Sequence, residues 1–187
     1  GQSYQCRRSA VEGDWSNSCF YYALNSLGAN IYINGLNYNS LQGDRICIEN
    51  LKKLDLPDRT IDISDCPDLA PVLFATAAAK NGATFIGTQR LKIKESDRAS
   101  VMAQELKKFG IKTDVLENKV IIHKGKLQKP CAILDSHNDH RIVMAEALLA
   151  CITGAKITGA EAVKKSYPEF FEKLQELGVG VRYELKN

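Results

Sequence analysis

Three short stretches of this 187-residue chain gather residue types that do chemistry together. They are Asp65-Cys66-Pro67-Asp68-Leu69-Ala70-Pro71, Lys92-Ile93-Lys94-Glu95-Ser96-Asp97-Arg98 and Asn138-Asp139-His140-Arg141, the last followed later by Lys164-Lys165-Ser166-Tyr167-Pro168. Each falls at an expected helix N-terminus, where free N–H groups and the positive dipole end favour an anion. Lys94, Arg98, Arg141 and Lys165 add full positive charge, and arginine grips a carboxylate or phosphate through paired hydrogen bonds. Such a face suits a polyanionic small molecule. Asp68, Glu95 and Asp139 weaken anion binding, so their presence there needs chemistry of its own. A carboxylate beside a hydroxylated substrate accepts its proton or its hydrogen bond. Cationic grips and proton acceptors together point to group transfer onto a hydroxyl.

Plainer readings stand beside these. Asp14, Asp68 and Asp139 sit where helix N-caps belong, and Ser96 and Asp97 suit a first helical turn. Lys92 to Arg98 also reads as a solvated face of alternating charge. His140 reads as a half-buried structural histidine and Lys164-Lys165 as surface lysines.

The elements that must position these residues are written three times. Gly28-Ala29-Asn30-Ile31-Tyr32-Ile33-Asn34-Gly35 reads as a helix end followed by a strand, and the arrangement returns in Gly82-Ala83-Thr84-Phe85-Ile86-Gly87 and Gly154-Ala155-Lys156-Ile157-Thr158-Gly159. Alanine- and leucine-rich helical stretches precede them: Ser18 to Leu27, Leu69 to Lys80 and Ile142 to Ile152. A second, amphipathic helix follows in each copy, over Ile48 to Leu54, Val101 to Gly110 and Phe170 to Gly178, with apolar residues at three- and four-residue steps. Lys119 to His123 and Val179 to Leu185 close two units as strands, with a shorter counterpart at Thr60 to Ile63. Ile111 to Gln128 reads as an insertion, a hairpin or extended excursion. One such unit cannot bury its own helix faces, whereas three packed together can. The expectation is an α+β fold: one domain, 1–187, of three βαβαββ-type repeats with pseudo-threefold symmetry, at approximately 8–63, 64–128 and 129–187. The first helix of each copy lies near the common axis. Lys94 stands 12 residues after Gly82, Lys165 stands 11 after Gly154, and Ser40 stands 12 after Gly28, so superposed repeats put these positions on one face.

Composition bounds the rest. Hydrophobic residues make up 44% and charged residues 25%, as in soluble globular proteins. The net charge of +3 is too small to draw nucleic acid by field alone. No apolar run approaches the roughly 20 residues of a membrane span, and the opening Gly1-Gln2-Ser3-Tyr4-Gln5 shows neither a basic leader nor an apolar stretch. The cysteines Cys6, Cys19, Cys47, Cys66, Cys131 and Cys151 include no Cys-x-x-Cys pair. They read as reduced, mostly buried thiols of a cytoplasmic protein, with no metal or cofactor expected.

Read as motifs, Arg90 to Arg98, Asn138 to Ala145 and Lys165-Ser166-Tyr167-Pro168-Glu169-Phe170-Phe171 closely resemble signatures of the 5-enolpyruvylshikimate-3-phosphate synthase family. Val11-Glu12-Gly13-Asp14 and Gln42-Gly43-Asp44 resemble it as well, and the likeness runs in order from about Val11 to Gly178. The resemblance implies a three-unit domain that closes on a partner domain across a cleft. It implies transfer of the enolpyruvyl group of phosphoenolpyruvate to the 5-hydroxyl of shikimate 3-phosphate, with release of phosphate and without metal. It implies that Asp68 contacts the shikimate hydroxyls and helps accept the 5-hydroxyl proton, and that Lys94 binds shikimate 3-phosphate. It implies that Glu95 takes part in proton transfer at the enolpyruvyl methylene. Arg98, Asp139, His140, Arg141 and Lys165 belong to the substrate-binding set, the cations holding the phosphoenolpyruvate carboxylate and phosphate. Where some members carry an asparagine that contacts shikimate 3-phosphate, this chain has Arg90, the remaining substrate-binding candidate.

About half of the family's chain is missing, including a serine-glutamine segment and basic residues for the shikimate phosphate. The N-terminal half of the same enzyme is therefore the expected partner, and the domain alone is expected to be inactive. Two alternatives are a domain like the UDP-N-acetylglucosamine enolpyruvyl transferase of cell-wall synthesis and a non-catalytic RNA-end-processing relative. The first does not resemble this chain at Lys94 to Arg98 or Asn138 to Arg141. The second calls for basic and aromatic surface, and aromatics are 7% here.

Overall fold

The computed structural model describes residues 2, 3, 5 and 10–184. In chain order the elements are α1 (Trp15–Ser26), α2 (Cys47–Lys53), β1 (Thr60–Asp62), α3 (Ala70–Ala79), β2 (Ala83–Ile86), α4 (Arg98–Lys108), β3 (Thr113–Leu116), β4 (Lys119–Ile122), β5 (Leu134–Asp135), α5 (His140–Thr153), β6 (Ile157–Thr158) and α6 (Phe170–Glu176). Short 3-10 turns at Gly43–Ile46, Pro67–Leu69, Gln89–Ile93 and Ala160–Lys165 fill the connections. The fold is α+β.

The first helices of the three copies, α1, α3 and α5, all touch one another. Every residue of α3 from Ala70 to Ala78 is buried, as is every residue of α5 from His140 to Leu149. A helix buried on every side has no face for water and belongs at the centre. The small side chains of α3 also let its neighbours approach closely. The outer helices are amphipathic instead: α4 turns Ala99, Val101, Met102 and Leu106 inward, and its last turn carries Lys107 and Lys108. A single buried cluster runs from Trp15 to Leu174, so all three copies share one core.

The repeated glycines have a conformational reason. Gly28, Gly82 and Gly154 leave the central helices at φ of 105°, 73° and 68°, a region open mainly to glycine. At Gly82 a Cβ would also strike the Ile122 carbonyl.

The main sheet has the order β1-β2-β4-β3, with β1 parallel to β2 and the other pairs antiparallel. Ile61, Phe85 and Val120 stand opposite one another across it, all fully buried. Phe85 meets Phe74 of α3 at a ring separation of 4.7 Å. Residues 111–128 form the β3–β4 hairpin, and β4 enters the sheet between β2 and β3.

Several sequence expectations about the strands are corrected here. Thr60–Ile63, expected to close the first unit, pairs with β2 through Thr60–Thr84, Ile61–Phe85 and Asp62–Ile86. It opens the second unit, so that unit begins near residue 60 rather than 64. β5 pairs in parallel with β6 in the same way and opens the third unit. The full βαβαββ order is present only in the second unit among the described residues. Ile31 to Asn34 forms no strand, because the Asn25 side chain takes both backbone groups of Ile31: its Oδ1 accepts from the N–H at 2.7 Å and its Nδ2 donates to the carbonyl at 2.8 Å. A Gly13 N–H to Gly35 carbonyl bond of 3.2 Å is what joins the two flanking segments there. Val179 to Glu184 also forms no strand, and Leu185, the start of the first unit at residues 8 and 9, and Cys6 lie outside the described residues.

Among the described residues no helix is long and apolar enough to cross a membrane. The thiols of Cys19, Cys47 and Cys66 are free and buried, Cys131 is free and exposed, and Cys151 is free and half-buried.

Candidate active site

The second and third units deliver their charged residues to one place. Asp68 arrives on the 3-10 turn Pro67–Leu69, Lys94 and Glu95 on the segment between Ile93 and α4, and Arg98 as the first residue of α4. Asp139 caps α5, and His140 and Arg141 open it. Lys165 ends the 3-10 turn before α6. Lys94 and Lys165 therefore close 3-10 turns rather than open helices, which corrects the expected placement. Superposition still matters, since both lysines point at carboxylates of the site. Ser40, their counterpart in the first unit, is buried against Glu12, with Oγ to Oε1 at 2.6 Å.

The three aspartates that precede the central helices divide by role. Asp14 caps α1 by accepting from the Ser16 and Asn17 N–H groups, and Asp139 caps α5 by accepting from the Arg141 N–H at 2.9 Å. Asp68 caps nothing. Its Oδ1 receives Lys94 Nζ at 2.9 Å and Arg98 Nη1 at 2.7 Å, while Arg141 Nη2 stands 4.0 Å from its Oδ2.

Arg98 is the strut beneath this arrangement. Its Nε and Nη2 donate to Asp139 at 2.9 and 3.2 Å and its Nη1 to Asp68, with only 3% of its side chain exposed. Ser96 Oγ adds a 3.0 Å bond to Asp139 Oδ2. Burial pushes the Asp139 carboxyl up, but Arg98, the Arg141 N–H and Ser96 outweigh it and hold it below the ordinary range. Asp68 follows the same logic: burial raises it, and Lys94, Arg141 and Arg98 bring it lower still.

Glu95 joins the other side. Lys165 Nζ donates to its Oε2 at 3.1 Å, and His140 Nδ1 stands 3.0 Å from its Oε1 without the alignment of a full hydrogen bond. Burial raises the Glu95 carboxyl, but Lys165 and His140 hold it below its usual value. Burial lowers the His140 imidazole, and Glu95 only partly opposes this, so the ring is neutral near pH 7. Lys165 also donates to the Asn138 carbonyl.

Asp68, Lys94, Glu95, Arg98, Asp139, His140, Arg141 and Lys165 thus form one connected site. Arg90 stands apart from it, exposed, with Nη1 on the Ser64 carbonyl at 3.2 Å. Within the site Arg141 has donors to spare: its side chain is 9% exposed and its buried Nη1 has no hydrogen-bond partner. Lys94 and Lys165 are reachable from solvent at 24% and 38% exposure. Glu95, Asp139 and His140 bring one ligand atom each to within 4.8 Å of one another. The Asp139 oxygens are already taken by Arg98, Ser96 and the Arg141 N–H, which leaves that trio a weak cation cage. The same site offers an ionised Asp68 as proton acceptor and free guanidinium and ammonium donors for an anion beside it.

Spacing along the chain does not reveal two supports of this site. Asn17 Nδ2 donates to the Ser166 carbonyl at 3.3 Å, and Tyr21 OH to Tyr167 OH at 2.9 Å, so α1 holds the segment carrying Lys165. The first unit therefore reaches the site through α1. Asp44 is the other support: it accepts from Ser16 Oγ and feels Arg141. Its motif Gln42-Gly43-Asp44 was the available signal.

The family model described as EPSP synthase (3-phosphoshikimate 1-carboxyvinyltransferase) matches residues 1–174. A 3-phosphoshikimate 1-carboxyvinyltransferase of Clostridium kluyveri is 40% identical over 196 residues, covering 95% of this chain and 46% of its own. That of Clostridium acetobutylicum is 40% identical over 185 residues, covering 90% of this chain and 43% of its own. The chain thus spans a little under half the length of these relatives. The solved EPSP synthase of Acinetobacter baumannii superposes with a TM-score of 0.61 at 24% identity, over 90% of this chain and 46% of that one, and shares its fold. From the family match and these relatives, the chain belongs to the EPSP synthase (3-phosphoshikimate 1-carboxyvinyltransferase) family.

Proposed function

We propose that this chain is a single three-unit domain supplying one wall of a shikimate-pathway transferase. That enzyme moves the enolpyruvyl group of phosphoenolpyruvate to the 5-hydroxyl of shikimate 3-phosphate and releases phosphate. The observation that carries the reading is the convergence of Lys94, Arg98, Arg141 and Lys165 on Asp68, Glu95 and Asp139, with Arg141 Nη1 left buried and unpaired. A buried guanidinium N–H without an acceptor costs free energy, and an anionic substrate relieves that cost. The carboxylate and phosphate of phosphoenolpyruvate would take Arg141 and Lys165, with His140 beside them. Lys94 would face shikimate 3-phosphate, and Arg90 would lie at the rim.

Asp68 is ionised near neutral pH and can accept the 5-hydroxyl proton as the oxygen bonds to C2 of the enolpyruvyl group. Glu95 is also ionised while Lys165 holds it. An anion that draws Lys165 away removes the main group keeping Glu95 low, so substrate binding itself prepares Glu95 to carry a proton to the methylene. Return of that proton to Glu95 restores the double bond as the C2–O bond to phosphate breaks. Cations around both anions stabilise the charge that develops. Arg98, whose donors are spent on Asp68 and Asp139, would meet a substrate carboxylate only by exchanging Asp68 for it.

The partner wall would come from the remaining half of the enzyme, and free thiols at Cys19, Cys47 and Cys66 accord with a cytoplasmic setting. The test is phosphate release with both substrates present. The chain alone should release essentially none, and adding a separately made N-terminal half should restore release. UDP-N-acetylglucosamine should not replace shikimate 3-phosphate. Turnover by the chain alone would overturn the two-wall reading, and turnover with the nucleotide sugar would overturn the acceptor.

A further inference from the structure

Two carboxylic side chains lie buried together below the site, and nothing in the proposed chemistry uses them. Glu105 of α4 and Glu146 of α5 are 2% and 1% exposed. Glu105 is seven residues beyond Arg98, and Glu146 is seven beyond Asp139. Seven residues are two helical turns, so α4 and α5 are joined by two rungs, Arg98 with Asp139 above and Glu105 with Glu146 below.

Glu105 is richly held. Lys108 Nζ donates to both its oxygens at 2.8 Å, the Asp135 N–H donates to Oε2 at 3.2 Å, and His137 Nε2 stands 3.5 Å from Oε1. Glu146 is not: neither of its buried oxygens has a hydrogen-bond partner, and after burial the Glu105 carboxyl is the group that acts on it most. Two buried carboxylates side by side repel, and one resolves this by keeping a proton. A proton on Glu146 can be donated toward Glu105, whose oxygens already receive Lys108 and the Asp135 N–H.

That loop matters because of what it ends in. His137 and Asn138 take positive φ values of 50° and 55°, a conformation costly for residues with a side chain. It is imposed by the Asp135 Oδ1 bond to the His137 N–H at 2.9 Å and the Ser136 Oγ bond to the Asn138 N–H at 3.2 Å. The strained pair aims the Asn138 carbonyl at Lys165 and delivers Asp139 as the cap of α5.

We infer that Glu105 and Glu146 are a positioning pair, in which Glu146 lends a proton to Glu105 and Glu105 pins residues 135–138 so that Asp139, His140 and Lys165 stay in place. The inference rests on reading those three as the working site, so its first test uses no ligand. The groups that bear on Glu146 are Glu105 and Lys108 from α4 and Asp135 from β5, with His137 behind Glu105. Burial first, and Glu105 next, push the Glu146 acid up to about 9. Above that pH the proton leaves to solvent, the two carboxylates repel, and the loop loosens.

The experiment is an NMR pH titration of the 187-residue chain and of Glu146→Gln, whose amide can donate to Glu105 at every pH. In the unsubstituted chain the amide signals of residues 135–139 should move together with a midpoint near 9, and in Glu146→Gln that movement should vanish. Movement that persists in Glu146→Gln overturns the pair, as does a loop that stays still through the alkaline range. Should the variant fail to fold, carbon-13 on the glutamate carboxyls decides directly, because a Glu146 carboxyl titrating near 4.5 overturns the inference. Phosphoenolpyruvate affinity forms a separate arm, expected to weaken several-fold from pH 7.5 to 9.5 in the unsubstituted chain and to lose that Glu146-dependent step in Glu146→Gln. An affinity step that is identical in the two proteins overturns the positioning role. Loop titration as expected with no phosphoenolpyruvate binding at either pH would sink the functional reading and leave the pair standing.

Discussion

Arg98 and Asp139 form a two-bond ion pair sealed from solvent, with Nε to Oδ2 at 2.9 Å, Nη2 to Oδ1 at 3.2 Å and side-chain exposures of 3% and 0%. One belongs to the second unit and the other to the third, so the pair joins two copies of the repeat directly under the site. Removing one partner strands a buried charge, which typically costs about 3–5 kcal/mol. Arg98→Leu should lower stability by that order in denaturant unfolding. Arg98→Lys should lose part of it, because an ammonium cannot reproduce the planar fork. A loss below about 1 kcal/mol for Arg98→Leu, less than a stranded buried charge costs, would show that the pair is no strut.

Acid should loosen the site before it loosens the core. Asp68, Glu95 and Asp139 all have folded values below their ordinary ones. Their stabilisation is fully present above the unfolded carboxylate values, about 3.9 for Asp and 4.3 for Glu, and is lost as pH falls through the lower folded values. The melting temperature should therefore fall steeply below about pH 4, where unfolded carboxylates take up protons. Asp139→Asn should show a shallower acid limb than the unsubstituted chain.

Glu146 works in the opposite sense. Its folded value is raised, from 4.5 to about 9, so its contribution is fully present below pH 4.5 and is lost progressively as pH rises toward 9. Glu146→Gln needs no proton to fold. It should be more stable than the unsubstituted chain near neutral pH, with a difference growing by at most about 1.4 kcal/mol per pH unit across that window. Denaturant unfolding at pH 5, 7 and 8.5 gives the slope, and a pH-independent difference would show that Glu146 is ionised in the folded protein.

The α1 clamp predicts an effect without direct contact. Tyr21→Phe removes the 2.9 Å bond to Tyr167, and Asn17→Ala removes the bond to the Ser166 carbonyl. Each should cost about 1 kcal/mol of stability, the usual scale for one hydrogen bond. Together they should release Lys165 enough to raise the Glu95 carboxyl toward its ordinary range. Carbon-13 titration of Glu95 reads this directly, and an unchanged Glu95 value in the double variant would show that Lys165 is positioned without α1.

Much of the architecture was legible because it depends on local pattern repeated three times. Gly28, Gly82 and Gly154 marked the ends of the central helices, and the positive φ they adopt is open mainly to glycine. The alanine-rich stretch from Leu69 to Lys80 marked a helix near the common axis, and α3 is buried from Ala70 to Ala78. Strand membership was less legible. Thr60–Ile63 lies close in sequence to the first unit yet pairs with β2, and ladder partners are chosen across space. Nor did the apolar character of Ile31 to Asn34 reveal that Asn25 would occupy the backbone of Ile31.

For the site, residue type and spacing by themselves determined which charges the chain carries near its turns and helix starts, and hence the expectation of an anion beside a proton acceptor. The tertiary structure decided which of those charges remain available. Arg98 and Arg141 are indistinguishable as letters, yet one spends its donors on Asp68 and Asp139 while the other keeps Nη1 unpaired. Glu105 and Glu146 read as ordinary helix carboxylates until packing brings them together in a buried place. Spacing fixes the face a side chain occupies on its own helix. Its free charge depends on the partners and the solvent that the other helices bring or exclude, and those come from residues as far away as α1.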